Sequence, residues 1–359
     1  MNVADPCTLD YPLNPPFEPN AALKRGNLAM DYVRLGTTGL SVSRLCLGCM
    51  NFGAGQDWMI SEEESLPILR RAIEAGINFF DTANVYSVGG SEEILGRGLK
   101  TFGVRRQDAV IATKVFFPMS RGVNDRGLSR KNIMESIDAS LKRLGTDYVD
   151  LYQIHRFDNA TPVPETIEAL NDVVKAGKAL YIGASSMFAW QFAKYLYLAD
   201  ATGRARFITM QNHYNLLYRE EEREMNRLCE AEGVGLIPWS PLAGGTLVGT
   251  RATGSVRSKA AWVAGRFHRP SDRAVIDALA GVAAARGVPP AQIAIAWLLS
   301  KRVVSAPIIG PRKLSHLDDP LAALGLKLST EEIAALEAPY VAQDPIGPQP
   351  VDDARHAAY

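Results

Sequence analysis

Several features are scarce in this chain of 359 residues. Lys plus Arg and Asp plus Glu number 39 each, so the chain lacks the basic excess that marks most nucleic-acid binders. No apolar run approaches the roughly 20 residues needed to cross a bilayer, and the first thirty residues lack the apolar core of a signal peptide. These absences predict a cytoplasmic protein that binds neither nucleic acid nor membrane.

Cysteine is also scarce, at four residues. Cys46 and Cys49 form a C-x-x-C, a pattern found in redox pairs and in half of a zinc site, but no second C-x-x-C follows. A redox pair normally opens a helix, whereas these two lie in a strand-like run. We interpret both as reduced packing residues. No His, Cys and Asp cluster has metal-ligand spacing, so no metal is expected.

What the chain does have is an alternation of strand-like apolar runs with amphipathic helical segments. The predicted strands are Leu45–Gly48, Ile77–Asp81, Ala109–Lys114, Val149–Ile154, Ala179–Ala184, Phe207–Gln211, Val234–Trp239 and Ser305–Ile309. Helical segments that precede strands end at a glycine, which suits a left-handed cap. These glycines are Gly76, Gly145, Gly177 and Gly233.

Eight strands that alternate with helices predict an α/β fold with a parallel sheet, because parallel strands need crossover connections. A closed (β/α)8 TIM barrel accounts for the strand count and the length, and an open doubly wound sheet is the alternative. No G-x-G-x-x-G follows the first strand, which counts against a Rossmann fold.

Three pieces lie outside the repeat. Residues 1–30 are proline-rich and predict a flexible N-terminal extension. A β-hairpin turning at Thr37–Gly39 is expected to plug one mouth of the barrel. Extra helices are expected near the C-terminus, and residues 341–359 form a tail. We expect one domain over residues 31–340, with no boundary inside it.

Four reactive side chains follow neighbouring predicted strands: Asp81, Tyr86, Lys114 and His155. In a barrel, the carboxyl ends of the strands are where chemistry takes place. A nearby Lys114 ammonium would lower the pKa of Tyr86, and Asp81 would hold that ammonium charged. His155 would hydrogen-bond a substrate oxygen and share in proton delivery. Such a set suits protonation of a carbonyl oxygen while a hydride reaches the carbon.

Longer motifs surround these residues. They are GCMNFG (48–53), FFDTANVY (79–86), SEEILGRGL (91–99), TKV (113–115), DYVDLYQIH (147–155), GKALYIGASS (177–186), MQNHYNLLYREEE (210–222) and PWSPLAGGTL (238–247). From residue 31 to 339 the chain resembles the aldo-keto reductases, which are NAD(P)H-dependent enzymes on a (β/α)8 barrel. Within that family it looks similar to the bacterial aryl-alcohol-dehydrogenase-like and potassium-channel-β-like branch, including a bacterial member linked to sugar-phosphate or isoprenoid-precursor metabolism.

The resemblance implies that Asp81, Tyr86, Lys114 and His155 form the family's catalytic tetrad. It also implies a dinucleotide site, with Trp239 stacked on the nicotinamide and glycines near the pyrophosphate. The implied cofactor-binding residues are Gly48, Met50, Asp81, Ser185, Gln211, Trp239, Ser240, Pro241, Leu242, Gly244, Gly310, Arg312, His316 and Asp319.

At the adenosine end the resemblance is less complete. Gly310 and Arg312 match a G-x-R pattern whose cation could meet a 2′-phosphate, which favours NADP, with NAD as the alternative. His316 stands where the family usually has glutamine or arginine, and Pro320 where it has asparagine. Asp319 stands where an acidic residue normally accepts a hydrogen bond from the adenine amine.

The stretch from residue 243 to 271 contains basic residues and no acidic ones. The basic residues are Arg251, Arg257, Lys259, Arg266 and Arg269. One interpretation is a solvated loop between barrel units. The other is a loop that folds over the dinucleotide or a phosphorylated substrate, because barrel phosphate sites favour the loops after strands seven and eight.

The resemblance therefore implies an NADPH-dependent oxidoreductase that reduces a small-molecule aldehyde or ketone. The alternative is an NADPH-sensing regulatory subunit with little turnover, as in the channel-associated branch. An intact tetrad favours the enzyme. A homo-oligomer is an open possibility, since related branches include monomers and tetramers.

Overall fold

The computed structural model describes residues 30–248 and 269–345. Eight strands in this part of the chain form one parallel sheet, in which neighbours in the sheet follow the chain order. They are β3 (Cys46–Gly48), β4 (Phe79–Asp81), β5 (Val110–Val115), β6 (Val149–Ile154), β7 (Ala179–Ser185), β8 (Phe207–Gln211), β9 (Gly235–Leu236) and β10 (Ile308–Ile309).

The sheet closes on itself. Strand β10 pairs with β3, and the backbone N–H of Leu236 in β9 donates to Val303 O at 2.9 Å. Just beyond β9, Pro238 O accepts from the backbone N–H of Ile308 at 2.8 Å. The (β/α)8 barrel prediction is confirmed.

Helices cover the outside of the barrel. They are α1 (Glu62–Glu74), α2 (Gly90–Thr101), α3 (Arg130–Leu144), α4 (Val163–Lys175), α5 (Ala189–Thr202), α6 (Met225–Ala231), α7 (Pro270–Arg286), α8 (Pro290–Leu299), α9 (Asp318–Ala323) and α10 (Thr330–Glu337). Helix α1 begins at a capping box, in which Ser61 and Glu64 bond each other's backbone N–H groups. The four glycines predicted to end helices all have positive φ, which confirms that prediction; they are Gly76, Gly145, Gly177 and Gly233.

The predicted strand bounds agree with the structure within two residues for the first six barrel strands. The last two are shorter than predicted, at two residues each. Pro238 and Pro307 lie inside the predicted runs, and proline has no N–H to donate to a neighbouring strand. The two strands therefore pair over a shorter length, and single hydrogen bonds extend the contact beyond them.

The predicted hairpin consists of β1 (Tyr32–Arg34) and β2 (Ser41–Ser43), which pair antiparallel. Its turn packs against the amino-terminal ends of the barrel strands, where a Cβ on Gly36 would lie 2.6 Å from Gly233 O and 3.0 Å from Gly235 N. Leu35 and Val42 are buried in the cluster that fills the barrel interior. The hairpin closes the amino-terminal mouth, so the opposite mouth remains for a site.

Apolar side chains form two layers, one inside the barrel and one between the sheet and the helices. Cys46 belongs to the inner layer and Cys49 to the outer one. Both thiols are unpaired and buried, and burial raises the pKa of each. This agrees with their interpretation as packing residues, because a reactive cysteine needs a lowered pKa. Cys7 lies outside the described residues.

In residues 30–248 and 269–345 no single helix is both long and apolar enough to cross a membrane. Taken together, α7 and α8 reach that length and composition, but the pair is bent by 100°. All of the predicted extension except Met30, and most of the predicted tail, lie outside the described residues.

Candidate active site

A cleft of about 1350 Å³ opens at the carboxyl-terminal mouth of the barrel. It runs from the ends of β4 and β6 to the loop that follows β10. All fourteen residues predicted to bind the cofactor line it, and so do Tyr86 and His155 of the predicted tetrad. Lys114 lies beneath its floor, fully buried. The structure thus brings the predicted site residues together around one cleft.

The predicted tetrad is joined by direct contacts. Lys114 Nζ, on β5, lies 2.6 Å from Asp81 Oδ2 at the end of β4 and 3.2 Å from the Tyr86 hydroxyl. A third bond, to Thr82 O at 2.8 Å, uses the remaining ammonium proton. Across the cleft floor, the Tyr86 hydroxyl lies 3.5 Å from His155 Nε2. The four groups therefore form one continuous chain of polar contacts.

Lys114 is a charged group in a fully buried position. Burial works to lower its pKa, but the Asp81 carboxylate and the Tyr86 hydroxyl outweigh burial, so its pKa is raised. The side chain is therefore an ammonium at neutral pH, as the sequence predicted. Such a buried cation is retained only because every one of its protons has an acceptor.

Tyr86 departs from the expectation of a lowered pKa. Burial raises its pKa, and although the Lys114 charge opposes this, the net pKa lies above the ordinary value. The expectation was wrong because desolvation of the phenolate, together with the Asp81 charge, outweighs the cations Lys114 and Arg156. The phenol thus keeps its proton at neutral pH and has it available to donate.

His155 is a neutral imidazole. Burial lowers its pKa well below the ordinary value, and the charges of Lys114 and Arg156 add to this effect. The Phe117 ring packs edge-on against the imidazole, with 4.8 Å between ring centroids. A neutral ring beside Tyr86 can donate or accept one hydrogen bond at Nε2, according to its tautomer.

Sequence reasoning missed Gln153, which lies within the tetrad's surroundings. Its Nε2 donates to Asp81 Oδ1 at 3.0 Å, and Gln211 Nε2 donates to the same oxygen at 2.8 Å. A signal was available, because side chains two residues apart on a strand share a face, and Gln153 precedes His155 by two. The inward position of His155 would have predicted the same for Gln153.

Trp239 presents an indole to the cleft and is fixed from behind. His213 stacks on it with 4.1 Å between ring centroids and 9° between planes. The indole Nε1 donates to Ser186 Oγ at 3.0 Å, while Ser185 Oγ donates to Gln211 O at 2.9 Å. His213 is therefore a structural residue, and Ser186 is a support that sequence reasoning missed.

The far end of the cleft is held less firmly. Arg312 Nη2 contacts Asp57 O at 3.5 Å, and the Arg312 backbone N–H donates to His316 Nδ1 at 3.3 Å. Asp319 accepts a bond from Gln292 Nε2 at 2.9 Å. Pro320, the departure noted in the sequence, is a buried residue that also lines the cleft.

The residues present fit a nicotinamide dinucleotide. Small-ligand pockets enclose roughly 300–1000 Å³, and this cleft exceeds that range. It has a flat indole at one end and, at the other, a guanidinium whose Nε has no hydrogen-bond partner among the described residues. Gly244 and Gly245, with φ of 64° and 95°, turn the backbone along its wall. No group of three potential metal ligands occurs in the described part of the chain.

Most of the predicted basic loop lies outside the described residues, including Arg251, Arg257, Lys259 and Arg266. Arg269 is described, and its guanidinium bonds Asp272 and the Val341 carbonyl. It caps the start of α7, and it is not among the residues that line the cleft.

Comparison with known proteins covers most of the chain. A sequence model described as "Aldo/keto reductase family" matches residues 44–340. The chain is 45% identical to a versiconal hemiacetal acetate reductase of Aspergillus parasiticus, over 87% of this chain and 97% of that protein. It is 43% identical to the aldo-keto reductase dtxS3 of Metarhizium robertsii, over 88% and 92% of the two chains.

A Schizosaccharomyces pombe protein provisionally named an aryl-alcohol dehydrogenase is 43% identical, over 86% of this chain and 95% of that protein. These relatives are fungal, so the bacterial and potassium-channel-β branch expected from the sequence stays a prediction. The barrel, the geometry of the cleft and the family match over residues 44–340 agree. The chain belongs to the aldo/keto reductase family and is an oxidoreductase.

Proposed function

We propose that this protein is an NADPH-dependent reductase of aldehydes or ketones. One observation carries the proposal: a single buried ammonium, Lys114 Nζ, bonds both the Asp81 carboxylate and the Tyr86 hydroxyl on the floor of the cleft. This arrangement keeps a protonated phenol beside a fixed positive charge. It suits a reaction in which an oxygen gains negative charge and then a proton.

In this proposal Tyr86 is the general acid that protonates the carbonyl oxygen. As the phenol loses its proton, the Lys114 ammonium stabilises the phenolate that forms, an electrostatic effect that is strong in a water-poor site. His155, being neutral, positions the substrate oxygen through Nε2. Asp81 touches no substrate and keeps Lys114 charged.

The cofactor would lie along the cleft and, when bound, supplies the hydride. Trp239 would pack against the nicotinamide, with Ser185 and Gln211 beside it. The turn from Ser240 to Gly244 would follow the pyrophosphate, and Gly48 and Met50 line the same wall. At the far end, Arg312 would meet the 2′-phosphate, which is the reason to propose NADPH over NADH.

The substrate would be a carbonyl compound with an apolar or aromatic body. Trp58, Met59 and Phe117 line the cleft beside Tyr86, together with Val85 and Leu242. Tyr214 and Asn215, which follow β8, are buried and do not line it. The aryl-alcohol name of the fission yeast relative supports aromatic aldehydes as the first class to assay.

The test is the Tyr86→Phe variant, assayed by NADPH absorbance with aromatic aldehydes, methylglyoxal and sugar aldehydes. We expect kcat to fall at least about 10³-fold, because a general acid supplies 10²–10⁴-fold and the phenolate–ammonium pair is lost with it. The dissociation constant for NADPH, measured by fluorescence quenching, should stay within about threefold. Normal turnover in this variant would remove the mechanism.

The regulatory alternative gives a different result. A sensor would bind NADPH tightly in the wild type and oxidise it negligibly with every aldehyde tested. Tight binding without turnover would therefore favour the sensor, whereas turnover abolished by Tyr86→Phe favours the reductase.

A further inference from the structure

Gln153 contacts Asp81 of the tetrad directly, although the proposed mechanism gives it no part. We propose that Gln153 is a positioning residue that holds the Asp81 carboxylate in place for Lys114 and, through Lys114, sets the pH range over which Tyr86 donates its proton. This inference rests on the proposed reductase function. The contacts that carry it lie within one layer of the barrel interior.

The layer is built by strand register. Lys114 on β5 pairs with Gln153 on β6, and both side chains are fully buried. The two oxygens of Asp81 have separate partners: Oδ2 receives the Lys114 ammonium at 2.6 Å, and Oδ1 receives Gln153 Nε2 at 3.0 Å and Gln211 Nε2 at 2.8 Å. The two bonds to Oδ1 restrict rotation of the carboxylate and so keep Oδ2 directed at the lysine, and Gln153 supplies one of them.

The Gln153 amide is itself oriented. Its Oε1 accepts a bond from Gln211 Nε2 at 3.2 Å, so its Nε2 is the end that faces Asp81. Space for the side chain comes from a glycine on the next strand: a Cβ on Gly183 would lie 3.0 Å from Gln153 Cγ and 2.2 Å from Thr209 Oγ1. A glutamine that only filled space would not need two polar partners.

The physical consequence follows from the burial of the ion pair. Hydrogen bonds donated to a carboxylate stabilise its charged form, and removing one donor weakens the hold on the Asp81 charge. Lys114 then has a weaker counter-charge, which lowers the pKa of its ammonium. Lys114 is therefore deprotonated at a lower pH, and the pH above which kcat falls moves down with it.

The experiment compares pH profiles of kcat for aldehyde reduction in the wild type and in Gln153→Met, whose side chain is similar in size and has no donor. We expect the midpoint of the alkaline limb to move down by about one pH unit, so that the ratio of variant to wild-type kcat falls about tenfold between pH 6 and a pH above both midpoints. The KM for the aldehyde and the dissociation constant for NADPH should stay within about threefold. Gln153→Glu should be most active at acid pH, where its protonated carboxyl can donate to Asp81, and should lose activity as pH rises.

The matched control is Gln191→Met. Gln191 is equally buried, but its side chain bonds the Phe188 backbone N–H at the start of α5 and does not line the cleft. We expect that variant to unfold more readily than the wild type. The alkaline limb of its pH profile for kcat should stay where it is in the wild type. A Gln153→Met enzyme whose kcat is unchanged, or lowered equally at every pH, overturns the inference while the reductase function stands. A wild type that reduces no aldehyde removes both.

Discussion

The two ends of the cleft are built differently. At the tetrad end, Asp81, Lys114 and Gln153 are at most 3% exposed, and their mutual bonds run from 2.6 to 3.0 Å. At the far end, Arg312 is half-buried and His316 exposed, and their contacts measure 3.3 and 3.5 Å. Asp81, Lys114 and Gln153 thus each have several partners, whereas Arg312 and His316 are held by one or two longer contacts.

The difference follows from what each end is proposed to do. Proton transfer requires reacting groups within hydrogen-bonding reach, and a misplacement of 1 Å can cost about 10²-fold in rate. Recognition of a phosphate by an arginine tolerates more variation, since the charge acts over a longer distance. The same contrast accounts for the sequence pattern, because the resemblance to the family is complete at the tetrad and departs at His316 and Pro320.

The largest effect is expected from breaking the tetrad end with Lys114→Met. We expect kcat to fall by at least about 10³-fold and the free energy of unfolding to drop by about 3 kcal/mol, because Asp81 is left as a buried charge without a counter-ion. Steady-state kinetics and denaturant unfolding measure the two. The double variant Asp81→Asn/Lys114→Met should recover most of the stability and none of the turnover. Full activity in Lys114→Met would contradict the view that the tetrad end of the cleft requires its buried contacts.

A smaller effect is expected from Arg312→Gln, which changes the far end of the cleft. The dissociation constant for NADPH should rise about tenfold, consistent with the loss of one charge-assisted bond, while that for NADH stays unchanged. The kcat at saturating NADPH should stay within about twofold. Lys313→Gln, a neighbouring exposed cation that does not line the cleft, is the matched control. A parallel fall in kcat would show that the two ends are not independent.

The smallest expected effect is on how the free energy of unfolding changes with pH. It should differ between His155, at the tetrad end of the cleft, and His316, at the far end. The pKa of His155 in the folded protein lies well below its unfolded value of about 6.5, so the unfolded chain binds more protons between these values. Stability is therefore lost as pH falls below about 6.5, by at most about 2 kcal/mol at pH 5, a bound that the unfolded-state pKa sets. His155→Gln should lose less stability over this range in denaturant unfolding. Partial burial and the charges of Lys313 and Arg312 also lower the pKa of His316, so His316→Gln should reduce the slope in the same direction by a smaller amount.

Much of the fold could be predicted from the sequence, because strand and helix periodicity and the helix-ending glycines are local signals. Strands β9 and β10 were predicted as well, but their short lengths were not, because the pairing that a proline removes depends on the position of the neighbouring strand. The site shows the same division. The four tetrad residues were predicted from reactive types at strand ends, whereas Gln153 and Ser186 were missed because their importance lies in contacts across strands.

The sequence by itself determined which reactive groups stand at the strand ends: one phenol, one amine, one carboxylate and one imidazole, in motifs of the aldo/keto reductase family. The tertiary structure alone decided the protonation states of Tyr86 and His155, while it confirmed the predicted charge of Lys114. Tyr86 keeps its proton and His155 stays neutral because burial penalises their charged forms, while Lys114 stays charged because Asp81 lies 2.6 Å away. Desolvation and charge pairing depend on distances across strands, and only folding sets those distances.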